Sequence, residues 1–563
     1  MALPAYAQQA ADGRKVLHIA FPVAETNFDP AQISDLYSRT ITPHIFETLY
    51  KYDHLARPVK VKPLTAVGMP EVSADFRTWT VRLQPGIFFA DDPAFKGVPR
   101  ELTAQDYVFA LKRFADPAVK AALWSSVESL GYVGLAALRK EAQEKKAPFD
   151  YDREIEGLRA LDRYTVQYVL AKPRPRFLEN LAASDIFGAV AREVVQHYGD
   201  KIGEHPVGTG PFVLAQWRRS SLIVLERNPN YREVLWDAEP AAGDAAGQTM
   251  LAKLKGRRLP LVDRVEVSVI EESQPRWLTF LNGKIDVMSV PGDFINIAMP
   301  KGLVAPNLAK KGIRGSKVLQ PDTALTYFNM LDPVVGGLQP ERVALRRAIN
   351  LGVDVDREIR LLRRGMAIPA QSAVVPHTSG YDPTFKSEMS EYDPARAKAL
   401  LDLHGYVDRD GDGWREQPGG EPLLLVYSTQ PDQSSRQFNE LWKRNMDAIG
   451  IRIEFKTAKW PENLKAARAG KLMMWGVGSL ASQSDGIDSL ARLYGPQAGQ
   501  QNLARFSLPA FDAIYERLQL IPDGPEREAL FEQAKRIGVA YAPYKVHVHR
   551  YVADMIQPWI EGY

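Results

Sequence analysis

Val265-Glu266-Val267-Ser268-Val269 alternates apolar and polar residues, the two-residue period of a half-buried strand. Ser273 stands where a helix N-cap belongs, the helix runs to Asn282, and Gly283 closes it. A second strand then covers 285–290. The same order recurs far downstream. A strand over 423–428 leads into a helix over 434–449 that ends at Gly450, and a strand follows over 451–456. Two such units predict an α/β protein of two lobes with mixed sheets.

Outward from these units the chain reads clearly. A strand over 16–21 ends at Pro22. In 78–83, Trp79, Val81 and Leu83 share one face before the turn Pro85-Gly86. Thr103 and Asp106 make a capping box, and Tyr107, Leu111 and Phe114 follow at helical spacing. The stretch 135–150 is rich in Lys, Glu and Ala and reads as an exposed helix or an interhelical loop. Strands starting at Phe212 and Leu222 flank the polar turn Arg218-Arg219-Ser220-Ser221 as a hairpin. The stretch 236–248 reads as a surface insertion. No short-period repeat is present.

Composition narrows the classes. The chain has 563 residues and a net charge of +3, too balanced for a broadly cationic nucleic-acid binder. It has no cysteine, so disulfides, thiolate metal sites, cysteine nucleophiles and a lipidated cysteine are all excluded for this sequence. No apolar stretch is long enough to cross a bilayer. Ala5-Tyr6-Ala7 has the small-x-small pattern read by signal peptidase, and 1–10 is expected to be the tail of an export signal.

Catalytic motifs are missing. There is no H-E-x-x-H, no G-x-S-x-G and no P-loop. The run Asp408-Arg409-Asp410-Gly411-Asp412-Gly413-Trp414 starts like a calcium loop, but Gly419 occupies the position of the bidentate Glu, so a tight polar turn is expected. His547 and His549 would share one face of a strand, half exposed and without a third metal ligand. The segment 342–364 carries seven arginines among apolar residues and reads as an amphipathic surface helix or helix pair. Trp475 lies in an apolar strand that runs into Gly476-Val477-Gly478-Ser479, a way to bring backbone amides to a ligand.

Several stretches, in order, resemble the bacterial extracellular solute-binding proteins of family 5, the oligopeptide-, dipeptide- and nickel-type components of ABC importers. Gly208-Thr209-Gly210-Pro211-Phe212 followed by Asn228-Pro229-Asn230-Tyr231 is similar to the family's most recognisable pair. Phe46-Glu47-Thr48-Leu49, the strand from Trp79 into Gly86-Ile87, and Leu102-Thr103-Ala104-Gln105-Asp106-Tyr107 resemble earlier segments. Gly283-Lys284-Ile285-Asp286, Tyr327-Phe328-Asn329, Leu345-Arg346-Arg347-Ala348-Ile349 and the tail Trp559-Ile560-Glu561-Gly562-Tyr563 resemble later ones.

The resemblance implies the two-lobed periplasmic-binding-protein fold (type II, large cluster), with an extra inserted subdomain and two hinge crossings. Lobe I would comprise 11–50, 202–290 and 544–563, the inserted subdomain 51–201, and lobe II 291–543. It also implies a periplasmic solute-binding protein, not an enzyme, that encloses a solute by hinge closure and delivers it to a membrane permease. The implied carrier is a monomer, free of cofactor and metal, exported into a Gram-negative periplasm and not lipid-anchored. Rival readings are a periplasmic hydrolase or a chaperone-like interaction protein on the same fold. Candidate ligand contacts are Trp460, Trp475, Gly478, Ser479, Ser482 and Asp485 in the second lobe, Asn27 and Phe28 in the first, and Trp124 in the insertion. Peptide-binding members carry an Asp three residues after the tryptophan matching Trp475; this chain has Gly478. An ordinary peptide ammonium would lack that counter-charge, so a modified peptide, an opine-like or a sugar-like solute is expected as readily.

Overall fold

The computed structural model describes residues 13–33, 35–481 and 483–563. The triplet Ala5-Tyr6-Ala7, the stretch 1–10 and Ser482 lie outside them. The chain divides into two compact units. Unit 1 comprises Met1–Asp293, Pro306–Arg314 and Asp554–Tyr563. Unit 2 comprises Phe294–Ala305 and Gly315–Ala553.

Unit 1 is built on strands β1 (Val16–Phe21), β2 (Thr78–Arg82), β3 (Leu158–Asp162), β4 (Thr165–Val169), β5 (Phe212–Arg218), β6 (Leu222–Arg227), β7 (Arg264–Val269) and β8 (Val287–Ser289). Its main sheet has the order β8-β1-β7-β6-β5. β1 is parallel to β7 and β8, whereas the β5–β6 hairpin adds antiparallel edges. Phe21, Phe28, Phe46, Phe212, Ile223 and Val267 fill one core beside it. A second sheet holds β2, β4 and β3, with Glu71–Val72 at its edge. Helix α1 (Ala104–Ala115) packs there, and its capping box between Thr103 and Asp106 is formed. This separate core runs from Ala31 to Val207, wider than the expected insertion at 51–201. Helix α2 (Ser273–Leu281) begins at Ser273, so Glu272, not Ser273, holds the N-cap position. The stretch 236–248 is not wholly surface: Trp236, Ala238 and Leu254 form a small core of their own.

Unit 2 contains β9 (Asp322–Phe328), α3 (Pro340–Gly352), β10 (Leu424–Thr429), α4 (Gln433–Asp447), β11 (Arg452–Thr457), α5 (Trp460–Arg468), β12 (Met474–Leu480) and all of β13 (Tyr544–Ile556) except its last three residues, which belong to unit 1. Its sheet has the order β11-β10-β12-β9-β13. β10 is parallel to β11 and β12, and β9 is antiparallel to β12 and β13. Both faces are buried. Phe328, Leu345, Trp442 and Met446 fill one side, and Leu325, Tyr327, Trp475 and Phe531 the other. The period of two along β9 divides its side chains between the two cores.

Two boundary expectations change. The return to the first unit falls at Asp554, not at residue 544, because the start of β13 is ladder-bonded to β9 inside unit 2. The first crossing falls at Phe294, and 306–314 then rejoins unit 1 before the chain settles in unit 2. The arginine-rich segment is no simple solvated face either. Arg346 is fully buried and donates to the carbonyls of Val335 and Tyr541, which keeps its charge satisfied inside α3's packing.

Candidate functional site

The motif-rich stretches converge on a knot in unit 1. Glu47 is 2 % exposed. Its carboxylate accepts from Thr209 Oγ1 at 2.9 Å, Arg232 Nη1 at 2.6 Å and Tyr231 Oη at 3.2 Å. Tyr107 donates to the Glu47 carbonyl, and Asn228 Nδ2 donates to the Gly210 carbonyl. Gly208 is required by contact: a Cβ there would sit 2.0 Å from the Ile45 carbonyl oxygen. The later motifs behave likewise. Asp286 accepts from the His18 amide at 2.6 Å and Trp559 Nε1 at 2.7 Å. Asn329 Nδ2 donates to the Gly470 and Leu472 carbonyls. These residues hold the backbone together.

A different arrangement surrounds a cavity of about 230 Å³ in unit 2. Helix α4 presents Ser435, Phe438, Asn439 and Trp442 to it. The spacing i, i+3, i+4, i+7 puts these four on one helical face. Tyr427 to Gln430 come from the end of β10 and the turn after it, Trp460 from the first turn of α5, and Gly476 to Gly478 from β12. Beyond Trp475, which pairs with Ser428, β12 has no strand on its β10 side among the described residues. Gly476 matters because a Cβ there would lie 2.4 Å from the Tyr427 hydroxyl.

One wall is a hydrogen-bonded relay. Glu358 accepts from Arg363 Nε at 2.7 Å and faces His547 Nδ1 at 2.8 Å. Thr326 Oγ1 lies 3.0 Å from His547 Nε2 and 3.2 Å from the Tyr427 hydroxyl. His547 and Arg363 hold the Glu358 carboxyl down at about 2 against the opposing effect of its burial. Burial lowers the His547 pKa, so the ring is neutral at pH 7. With Glu358 ionised, Nδ1 must donate and Nε2 must accept from Thr326. A bulge in β13 opposite Ala324 and Leu325 lets His547 and Arg550, three residues apart, both line the cavity. The two histidines are therefore not a half-exposed pair. Both are buried, and His549 turns instead to the Asp322 carbonyl.

The candidate contacts separate on this geometry. Trp460, 46 % exposed, and Gly478 line the cavity. Trp475 does not: it is fully buried in the core, its ring 4.6 Å from that of Trp460. Asp485 is buried and bound by Arg527 at 2.7 and 2.9 Å, with Ser379 donating to it, so it is a structural ion pair. Ser479 lies next to the cavity residue Gly478, and its hydroxyl accepts from Arg492. Phe28 is fully buried against Trp217 in the unit 1 core. Asn27 Oδ1 caps the Asp29 amide beside it. Trp124 packs on the second core of unit 1 under the Arg139 guanidinium. Ser482 lies outside the described residues. Missed by sequence reading were Phe438, Trp442, Tyr427, Glu358 and Arg550; the face of α4 was the one legible signal. The acidic turn gathers Asp408, Asp410, Asp412 and Glu416 with ligand atoms within 4.8 Å of one another, and Asp408 caps the amides of Gly411 and Gly413.

Comparison with known proteins agrees with this architecture. The chain is 24% identical to a di/tripeptide-binding protein of Pseudomonas aeruginosa, over 98% of this chain and 92% of that one. It is also 24% identical to the dipeptide-binding protein of Escherichia coli, over 88% and 82%. The ABC transporter-associated periplasmic binding protein DppA of Helicobacter pylori, solved with the peptide STSA, matches with a TM-score of 0.72 and 23% identity, over 97% and 95%. The Bacillus subtilis oligopeptide-binding protein AppA, solved with a nonapeptide, matches with a TM-score of 0.69 and 16% identity, over 97% and 95%. The model of the bacterial extracellular solute-binding proteins, family 5 (middle) matches residues 60–501. The chain belongs to the bacterial extracellular solute-binding proteins of family 5.

Proposed function

We propose that this protein is the periplasmic solute-binding component of an ABC importer and that its solute docks on unit 2 in the cavity beside Trp460. The relatives' names refer to di-, tri- and oligopeptides. The observation that carries the reading is the run of β12 from Gly476 to Leu480, left without a ladder partner on one side and set beside an aromatic wall. Its free backbone amides and carbonyls suit a solute with peptide-like hydrogen-bonding groups, and Phe438, Trp442 and Trp460 shield those bonds from water. Processing of an export leader at Ala5-Tyr6-Ala7, a free monomeric carrier and hand-over to a permease belong to the same proposal.

The relay Thr326–His547–Glu358 has the connectivity of a nucleophile, base and orienting acid. Its setting argues against turnover. Thr326 is 1 % exposed, and the Tyr427 hydroxyl bonds its Oγ1 from the other side. A hydroxyl so enclosed cannot approach a substrate carbonyl. The relay instead stiffens the cavity wall.

Native mass spectrometry of protein purified without denaturant should show a bound small molecule that leaves on unfolding. A screen of polar solutes should find ones that raise the melting temperature. Absence of both would sink the proposal.

A further inference from the structure

We infer that Arg550 selects a carboxylate on the solute, so that the cavity of unit 2 takes anionic rather than cationic ligands. This rests on the proposal that unit 2 holds a solute.

The guanidinium is held by one edge only. Arg550 Nε donates to Asp322 Oδ2 at 2.6 Å, and the Arg550 amide donates to Asp322 Oδ1 at 2.9 Å. The Asp322 side chain is buried, whereas the Arg550 side chain is 43% exposed. Nη1 and Nη2 make no hydrogen bond among the described residues, and they hang over Gly478. A Cβ at Gly478 would lie 3.2 Å from Nη2 and 3.8 Å from Nη1. The missing side chain is thus what leaves the planar fork open to the cavity. A fork with one edge anchored and the other free matches the two oxygens of a carboxylate.

The charges around the cavity point the same way. Both acids are committed: Glu358 to Arg363 and His547, and Asp322 to Arg550. Among the described residues lining the cavity, both oxygens of the Glu358 carboxylate are taken up, while Nη1 and Nη2 of Arg550 are open to an anion. The aromatic side chains of Phe438 and Trp442 lower the local dielectric and strengthen the attraction.

Three probes test this by calorimetry: N-acetyl-Ala-Phe, Ala-Phe and Ala-Phe-amide, which carry a carboxylate, both charges and an ammonium respectively. The wild-type protein should bind the two acids at least about tenfold tighter than the amide. Arg550→Gln should weaken the acids by about 10- to 100-fold and the amide by less than about threefold. Arg550→Lys, which keeps the charge and loses the fork, should fall between. Gly478→Asp places a carboxylate under the fork and should abolish the preference for the acids. The backbone tolerates it, since φ at Gly478 is not positive. Equal or tighter binding of the amide by the wild type overturns the inference. So does an equal loss for all three probes in Arg550→Gln with melting unchanged. Should no probe bind, the solute screen decides: a solute without an anionic group, bound equally by wild type and Arg550→Gln, overturns this inference and leaves the carrier reading standing. Absence of any binder removes both.

Discussion

Glu47 and Arg550 are both charged groups set among packed neighbours, and they differ in what remains unspent. Around Glu47 a threonine, a tyrosine and an arginine take up the carboxylate, and glycines let the backbone close on itself. Around Arg550 a single aspartate holds one edge, and a glycine leaves the other edge open. In the first region small residues serve close packing; in the second, at Gly478, a small residue serves access. Saturated polar groups stabilise a fold, and unsaturated ones beside a cavity are available to a ligand.

The sharpest way to break the comparison is at its saturated end. Glu47→Ala leaves the largely buried guanidinium of Arg232 without its counter-charge, holding only the Leu64 carbonyl, and should cost about 3–5 kcal/mol, read by urea denaturation. A loss below about 1 kcal/mol would mean that the knot is not the scaffold described here. Trp475→Ala should cost about 3–5 kcal/mol, because the ring is fully buried between strands and helices of unit 2. Its neighbour Trp460 should behave oppositely.

A pH series tests the polar groups behind the cavity. Lys545 is fully buried, and burial pushes its pKa from 10.5 down to about 7. The unfolded chain therefore binds the extra proton across that window, and unit 2 should gain stability as pH rises from about 7 towards 10. Lys545→Met should flatten this slope in melting curves. Glu358 acts at the acid end. Its pKa falls from 4.5 to about 2 on folding, so its contribution is complete above about pH 4.5 and is lost as pH falls towards 2. The smallest change in stability belongs to Trp460→Ala: less than about 1 kcal/mol for a residue nearly half exposed, with a clear loss of solute affinity in calorimetry. A large loss of stability with affinity intact would move Trp460 from the site to the core.

Much of the fold was legible because its signals are local. The period of two over 265–269, the apolar start of the strand over 424–429 and the helix between β10 and β11 can be read from neighbours in the chain. The site was less legible. Trp475 and Trp460 look alike in sequence, yet only packing from helices more than twenty residues away buries the first and spares the second. Asp485 resembles a ligand contact until Arg527, forty-two residues on, is seen to claim it. His547 and Arg550 have opposite parity along a strand, and a bulge that no local rule announces brings both to the cavity.

The sequence by itself determined the family, the α/β class, the order of strands and helices, and the absence of thiol chemistry. These follow from residue types and short spacings, which survive without knowledge of the fold. Only the tertiary structure decided which charged groups are already paired and which are free. Pairing is a property of atoms brought together across 42 residues, as in Asp485 and Arg527, or 228, as in Asp322 and Arg550. No periodicity records contacts of that range.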